Sequence, residues 1–459
     1  MTRRYTRSSP MPVPVEELFD WHLRPGAFER LAPPWERADV MARTGPVADG
    51  AVVTLHVPIG PVSVRWVSRH RDVHRPSGFV DEQLSGPFAS WVHAHRMEPS
   101  AAGGSTLTDD IAYALPFGPV GAIAAGGVRR KLERVFAYRH RITRGDLAAH
   151  ASFRDRPRLH VAITGASGFI GRALEAFLTT GGHRVTRLVR RAPAAGEVRW
   201  APDAAADLAP LGPVDAVIHL AGEGIATARW STRRKSAIAT SRQRGTANLV
   251  ASLLRLAAPP PVLVTASAIG IYGDRDDDEL TEASPVGTGF LADVGRAWEA
   301  ASAPAEAAGI RVVRARLGIV LSPDGGALRK MLPPFRLGIG GRLGSGRQWM
   351  SWVALDDAIG AIHHAIFTPS LRGPVNVTAP APATNAEFTA TLARVLARPA
   401  ILPVPAAALT LVFGQLADEA LLAGQRVLPA ALLAAGYRFR DPVLEGALRH
   451  VLGRTPLPD

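Results

Sequence analysis

One stretch constrains this chain more than any other: Leu159-His-Val-Ala-Ile-Thr-Gly-Ala-Ser-Gly-Phe-Ile-Gly171. An apolar run suited to a buried strand leads into three glycines, Gly165, Gly168 and Gly171, spaced G-x-x-G-x-x-G. A helical pattern then runs to Thr180, Gly181-Gly182 stops it, and a second strand follows over 183–189. The first glycine permits a tight turn, the second lets backbone N–H groups approach a pyrophosphate, and the third lets helix and strand pack closely. Strand, loop, helix and second strand together predict a βαβ unit of the dinucleotide-binding kind inside a parallel α/β sheet. The candidate cofactor-binding residues are therefore Gly165, Ser167, Gly168, Phe169, Ile170 and Gly171. Leu220, Ala221 and Gly222 join them, at the end of a further buried strand, Val214-Asp-Ala-Val-Ile-His-Leu-Ala-Gly222.

The second strand bears on which dinucleotide is expected. A preference for NAD asks for an Asp or Glu about 20 residues beyond the loop, to hold the ribose 2′-hydroxyl. Between Glu175 and Glu197 there is no acidic residue, and the strand ends Leu188-Val-Arg-Arg191. A guanidinium holds a 2′-phosphate where a carboxylate would repel it. NADP(H) is thus expected over NAD(H), with Arg190 as the contact.

Around this unit the chain has room for roughly three domains at about 150 residues each, since it runs to 459 residues. Hydrophobic residues make up 47% and charged residues 20%, which excludes a mainly disordered chain. With no cysteine there is no disulfide framework, thiolate metal site or cysteine nucleophile. The net charge is +13, and all basic residues except Lys131, Lys235 and Lys330 are arginines, spread along the chain. No basic tract is interleaved with aromatics, so no nucleic-acid partner is expected. The apolar stretches 115–128 and 406–416 are shorter than the ~20 residues that span a bilayer, and no apolar leader begins the sequence. The expected compartment is the cytoplasm.

Residues 15–28 carry apolar positions at helical spacing, 51–57 and 62–71 alternate as strands, 107–113 alternate again, and 128–142 form an amphipathic helix. Residues 154–158 read as a linker, and the chain after 403 is Ala/Leu-rich and helical. His93 and His95 share a strand face without an apparent third partner, and His363-His364 diverge on a helix, so no metal site is expected.

Beyond the glycine loop, His219-Leu-Ala-Gly222 and Ser267…Tyr272-Gly-Asp274 resemble the extended short-chain dehydrogenase/reductase, or NAD-dependent epimerase/dehydratase, superfamily. Arg229-Trp-Ser-Thr-Arg-Arg-Lys235, Ser241-Arg242, Arg316-Leu-Gly-Ile-Val-Leu321, Lys330-Met-Leu-Pro-Pro-Phe-Arg-Leu-Gly338 and Gly344-Ser-Gly-Arg-Gln-Trp-Met-Ser-Trp352 are more closely similar to its atypical branch, the epimerase family proteins. That resemblance covers 159–455, and Leu428-Pro-Ala-Ala-Leu-Leu-Ala-Ala-Gly-Tyr-Arg-Phe439 is similar to the branch's small C-terminal domain of unknown function. Residues 1–150 resemble a helix-grip module of the START/polyketide-cyclase (SRPBCC) kind by their order of elements. The resemblance implies an α+β helix-grip domain over 1–152, a doubly wound, mostly parallel Rossmann sheet over 158–400 and a small helical C-terminal domain over 403–455. It implies a small-molecule substrate, and an apolar ligand in the first module.

One departure from the family stands out. Short-chain enzymes use a Tyr-x-x-x-Lys pair in which the lysine lowers the tyrosine pKa for proton transfer. None of Tyr5, Tyr113, Tyr138, Tyr272 and Tyr437 has a lysine four residues on, and the helix where the pair belongs has Leu291 and Gly295 at the two positions. Ser267 and Tyr272 are the replacement candidates for catalysis, with the Tyr272 hydroxyl expected in the cleft and Asp274 nearby; Lys235 and Lys330, two of only three lysines, are further candidates, Lys330 facing an anionic substrate or the surface. The segment 338–346 reads either as a mobile active-site loop bearing Arg342, with Arg347 just beyond it, or as turns that its glycines serve. The alternative to an oxidoreductase or epimerase is an NADP(H)-binding sensor without turnover, or a protein that binds a hydrophobic ligand.

Overall fold

The computed structural model describes residues 1–454 except 37, 60–61, 102, 117–122 and 226–228. The chain forms two compact units, 1–157 with 176–182, and 158–175 with 183–459.

In the first unit, alternating sequences zip into an antiparallel sheet of seven strands: β1 (Arg3–Met11), β2 (Asp39–Arg43), β3 (Val52–Ile59), β4 (Val62–His74), β5 (Gly78–Ser85), β6 (Ser90–Pro99) and β7 (Ser105–Ala114). Their order is β1-β7-β6-β5-β4-β3-β2. The single early helix expected over 15–28 is in fact two, α1 (Val15–Leu23) and α2 (Ala27–Leu31). Arg24, which precedes a proline, is extended, and Gly26 takes φ +92°, so the helix cannot run through. The closing helix α3 (Ala125–Ala151) is longer than its apolar pattern suggested. Leu132, Phe136, His140, Thr143 and Leu147 recur at three- and four-residue spacing on its buried face. Phe136 meets Tyr5 of β1 at a centroid distance of 5.6 Å.

The second unit is built on parallel strands: β8 (His160–Thr164), β9 (Arg184–Val189), β10 (Glu197–Arg199), β11 (Ala216–His219), β12 (Val262–Ala268), β13 (Arg311–Leu317) and β14 (Gly373–Val377). Their order, β10-β9-β8-β11-β12-β13-β14, reverses at β8, which the glycine loop follows. Val161, Ile163, Val217, Ile218, Leu263, Val264, Val312 and Val313 are all buried, as in a parallel sheet covered on both faces. Ligands of such sheets bind beyond the carboxyl ends of the strands at the point of reversal. Residues after 403 belong to this same unit: Leu444, Leu448 and Val451 share a core with Phe388 and Leu392, and Arg426–Val427 pair in parallel with Glu279–Leu280.

Candidate functional site

The loop after β8 has the shape its glycines imply. Gly165 takes φ +71°, and a Cβ there would lie 2.8 Å from backbone atoms of Leu220 and Ala221. A Cβ on Gly171 would lie 2.3 Å from the Gly165 carbonyl oxygen, closing off any larger residue where α4 (Phe169–Thr180) leaves the loop. Gly168 differs. Its Cβ would meet only that carbonyl, at 3.2 Å, and otherwise open space. Gly168 and Ser167 are exposed, so backbone at the start of α4 faces outward, where a pyrophosphate could approach it. Phe169 packs its ring against Gly325, and Ile170 is half-buried. Across the reversal, the Leu220 N–H donates to the Thr164 carbonyl and the Ala221 N–H to the Thr164 hydroxyl. Gly222 is exposed beside the Arg242 side chain. That guanidinium donates to the Glu223 and Ile238 carbonyls and lies over the Trp298 ring. Burial lowers its pKa to about 10, which leaves it cationic at neutral pH. The loop, the β11 end and Arg242 thus form a cradle that fits a dinucleotide.

At the end of β9 the arginines divide. Arg191 pairs with Glu197 at 2.6 Å, and Arg187 pairs with Glu175 at 2.8 Å. Glu197 is a carboxylate that linear distance had placed out of reach; β10 pairs beside β9 and brings it back. Arg190 is exposed, with no hydrogen bond or ion pair among the described residues.

Both catalytic candidates, Ser267 and Tyr272, are buried. Tyr272 is fully buried, so its hydroxyl does not open into a cleft. It accepts from Arg316 Nη1 at 2.9 Å and faces the Asn376 Oδ1 acceptor at 2.7 Å. Burial pushes its phenol above the ordinary value even though Arg316 pulls it down, so it stays neutral at pH 7. Ser267 is buried and donates to Glu299 Oε1 at 2.7 Å. Arg316 clamps both Glu299 oxygens at 2.8 Å. Glu299, Arg316 and Asn376 were missed in the sequence; the available signal was Arg316 at the head of the otherwise apolar run Leu317-Gly-Ile-Val-Leu321. The tyrosine–lysine pair has no place in α6 (Phe290–Ala300), because a Cβ on Gly295 would already lie 2.9 Å from Ile271 Cβ.

The other candidates make contacts of their own or face solvent. Asp274 accepts from the Gly424 N–H, Lys235 donates to Gln415, and Lys330 is exposed. The segment 338–346 is not a free flap: Leu343 donates to Asn385, and Gly344 and Val404 bond in register with it. Arg342 borders a recess of about 310 Å³ with Thr389 and Ile401, away from the glycine loop.

Residues 161–377 match the NAD dependent epimerase/dehydratase family. A relative named epimerase family protein from Mycobacterium tuberculosis is 47% identical over 64% of this chain and 98% of its own. The chain belongs to the NAD-dependent epimerase/dehydratase family. Human epimerase family protein SDR39U1 is 38% identical over 64% of this chain and its whole length. A crystal structure of that human protein with NADPH aligns at a TM-score of 0.59, covering 64% of this chain and 99% of that one, with 36% identity. A Corynebacterium glutamicum structure described as a nucleoside-diphosphate sugar epimerase covers 98% of this chain and 90% of its own, with TM-score 0.81 and 36% identity, so its likeness extends over the N-terminal module. Residues 404–451 match a domain of unknown function, and 11–141 match the polyketide cyclase/dehydrase and lipid transport family. As an epimerase-family member the chain has an NAD(P)-binding fold. No helix among the described residues is long and apolar enough to cross a membrane.

The first module holds a second polar cluster that the sequence reading did not foresee. His93 and His95 do share a face of β6, and they are not alone. The β5–β6 register sets Asp81 opposite His93, and the β6–β7 register sets Asp109 opposite His95. Directly opposed residues share a face, so all four converge. Asp109 accepts from His93 Nε2 at 2.8 Å and from His140 Nε2, on α3, at 2.7 Å. His95 Nε2 lies 3.3 Å from Asp81. Burial opposes a charge on His95, but Asp109 and Asp81 outweigh it and push its pKa up to about 9.

Proposed function

We propose that this chain is an NADP(H)-dependent oxidoreductase or epimerase acting on a small molecule, with Arg190 meeting the 2′-phosphate. The observation that carries the cofactor preference is the division of the arginines: Arg187 and Arg191 are committed to carboxylates, and Arg190 is exposed at the strand end with its donors unspent. The human relative crystallised with NADPH supports the same reading. The bound nicotinamide would supply or accept a hydride. The chain's own residues do the rest: Gly165, Ser167, Gly168 and the start of α4 bind the pyrophosphate, while Phe169, Ile170 and Gly171 anchor the loop. Leu220, Ala221 and Gly222 line its far side. In this reading Ser267 and Tyr272 are positioning residues. They pin Glu299 and Arg316 at the carboxyl ends of β12 and β13, and proton transfer falls to a group other than Tyr272.

Parallel titrations with NADPH and NADH test the cofactor reading. A charge-assisted contact is worth about 1.5–3 kcal/mol, so Arg190→Ala weakens NADPH by roughly 10–150-fold and leaves NADH nearly unchanged. An equal loss for both nucleotides, or a wild-type preference for NADH, refutes it.

A further inference from the structure

We propose that the N-terminal module holds a divalent transition-metal ion of the zinc class, ligated by Asp81, His93 and His95. One ligand atom from each of the three lies within 4.8 Å of the others, close enough for a single ion to bridge them. The donor set is one carboxylate and two imidazoles, which suits zinc and leaves a coordination position open to water or a small ligand.

Two features point beyond a plain charge network. Asp109 is a buried carboxylate gripping His93 and His140, the arrangement by which an outer carboxylate orients a ligating imidazole. Aromatic rings close on two of the ligands: Phe79 stacks on His95 at 4.2 Å and Phe136 meets His93 edge-on at 5.2 Å. For stability alone, apolar residues of similar volume would serve this interior as well as two carboxylates and four imidazoles, the fourth being His70 on Asp81. An open metal position facing the inside of a helix-grip module would give it a Lewis-acidic anchor for an oxygen-bearing ligand.

The test uses the full-length protein, stripped with EDTA and titrated with Co²⁺ under visible absorption. The expected result is one Co²⁺ per chain, with ligand-field bands that Zn²⁺ displaces. His95→Gln abolishes the saturable signal, and Asp109→Asn weakens it by about 10–100-fold. NADPH binding by each variant reports that the other unit is intact, and circular dichroism reports the N-terminal sheet. If His95→Gln does not fold, X-ray absorption of the zinc-loaded wild type decides. Two imidazoles and an oxygen donor support the site; a shell without imidazole overturns it. A folded wild type with no saturable Co²⁺ binding overturns the proposal, and so does one-to-one binding that survives His95→Gln.

Discussion

Glu299→Ala tests how the buried network beneath the cofactor face is held together. Arg316 is 5% exposed and gives two hydrogen bonds to Glu299 at 2.8 Å each, while Ser267 gives a third at 2.7 Å. Removing the carboxylate strands a guanidinium with the Tyr272 oxygen as its remaining side-chain partner. Breaking a buried pair from one side costs about 3–5 kcal/mol, because the surviving charge stays buried and uncompensated. The Glu299 side chain is 12% exposed, so some water reaches the site and the lower end, about 3 kcal/mol, is expected. Replacing both partners (Glu299→Leu with Arg316→Met) removes both charges together and should cost less than the sum of the two single changes by roughly 1–3 kcal/mol. Urea unfolding of the full chain, following the transition that NADPH shifts, measures all four corners of the cycle. A Glu299→Ala cost below about 1 kcal/mol, or strict additivity, would refute the claim that this pair is a coupled buried unit.

Gly168→Asp should abolish dinucleotide binding with the fold intact by circular dichroism, since the new carboxylate would enter the open space where a pyrophosphate approaches; undiminished binding in calorimetry would remove the site from this loop. The buried His219 has its pKa lowered to about 4 by desolvation, against 6.5 for a free histidine. Its unfolded form takes up a proton first, so the stability it permits is full above pH 6.5 and is lost as pH falls towards 4, by about 3 kcal/mol at most. Denaturation of wild type and His219→Gln at pH 7 and pH 5 should show the smaller drop in the variant; parallel drops would dismiss His219 as the cause. A fragment over 158–459 should fold and bind NADPH, because relatives that match only this part are nearly complete at that length; an insoluble, unstructured fragment would count against the boundary.

The features legible in the sequence were those carried by local pattern. Gly165, Gly168 and Gly171 sit within seven residues, Gly165 required by its positive φ and Gly171 by close approach to the Gly165 carbonyl, so the loop and its βαβ unit could be read directly. The alternation of β6 likewise put His93 and His95 on one face, and the missing Tyr-x-x-x-Lys pair is a local fact that packing at Gly295 confirms. What tertiary structure decided came from register and from distant pairing. Asp81 and Asp109 reach the histidines only because β5, β6 and β7 align in one register, and a shift of one residue would have turned them to the other face. Tyr272 follows the end of β12 by four residues, and nothing in that local stretch shows that it is buried. Its partners, Arg316 and Asn376, stand 44 and 104 residues away, and only the parallel order of the sheet brings them to its hydroxyl. Glu197 reached Arg191 by the same means, through β10 lying against β9. Local chemistry writes a nucleotide loop into a few consecutive residues; a buried charge network has no such signature, because the energy that keeps it is Coulombic contact between strands that the chain visits far apart.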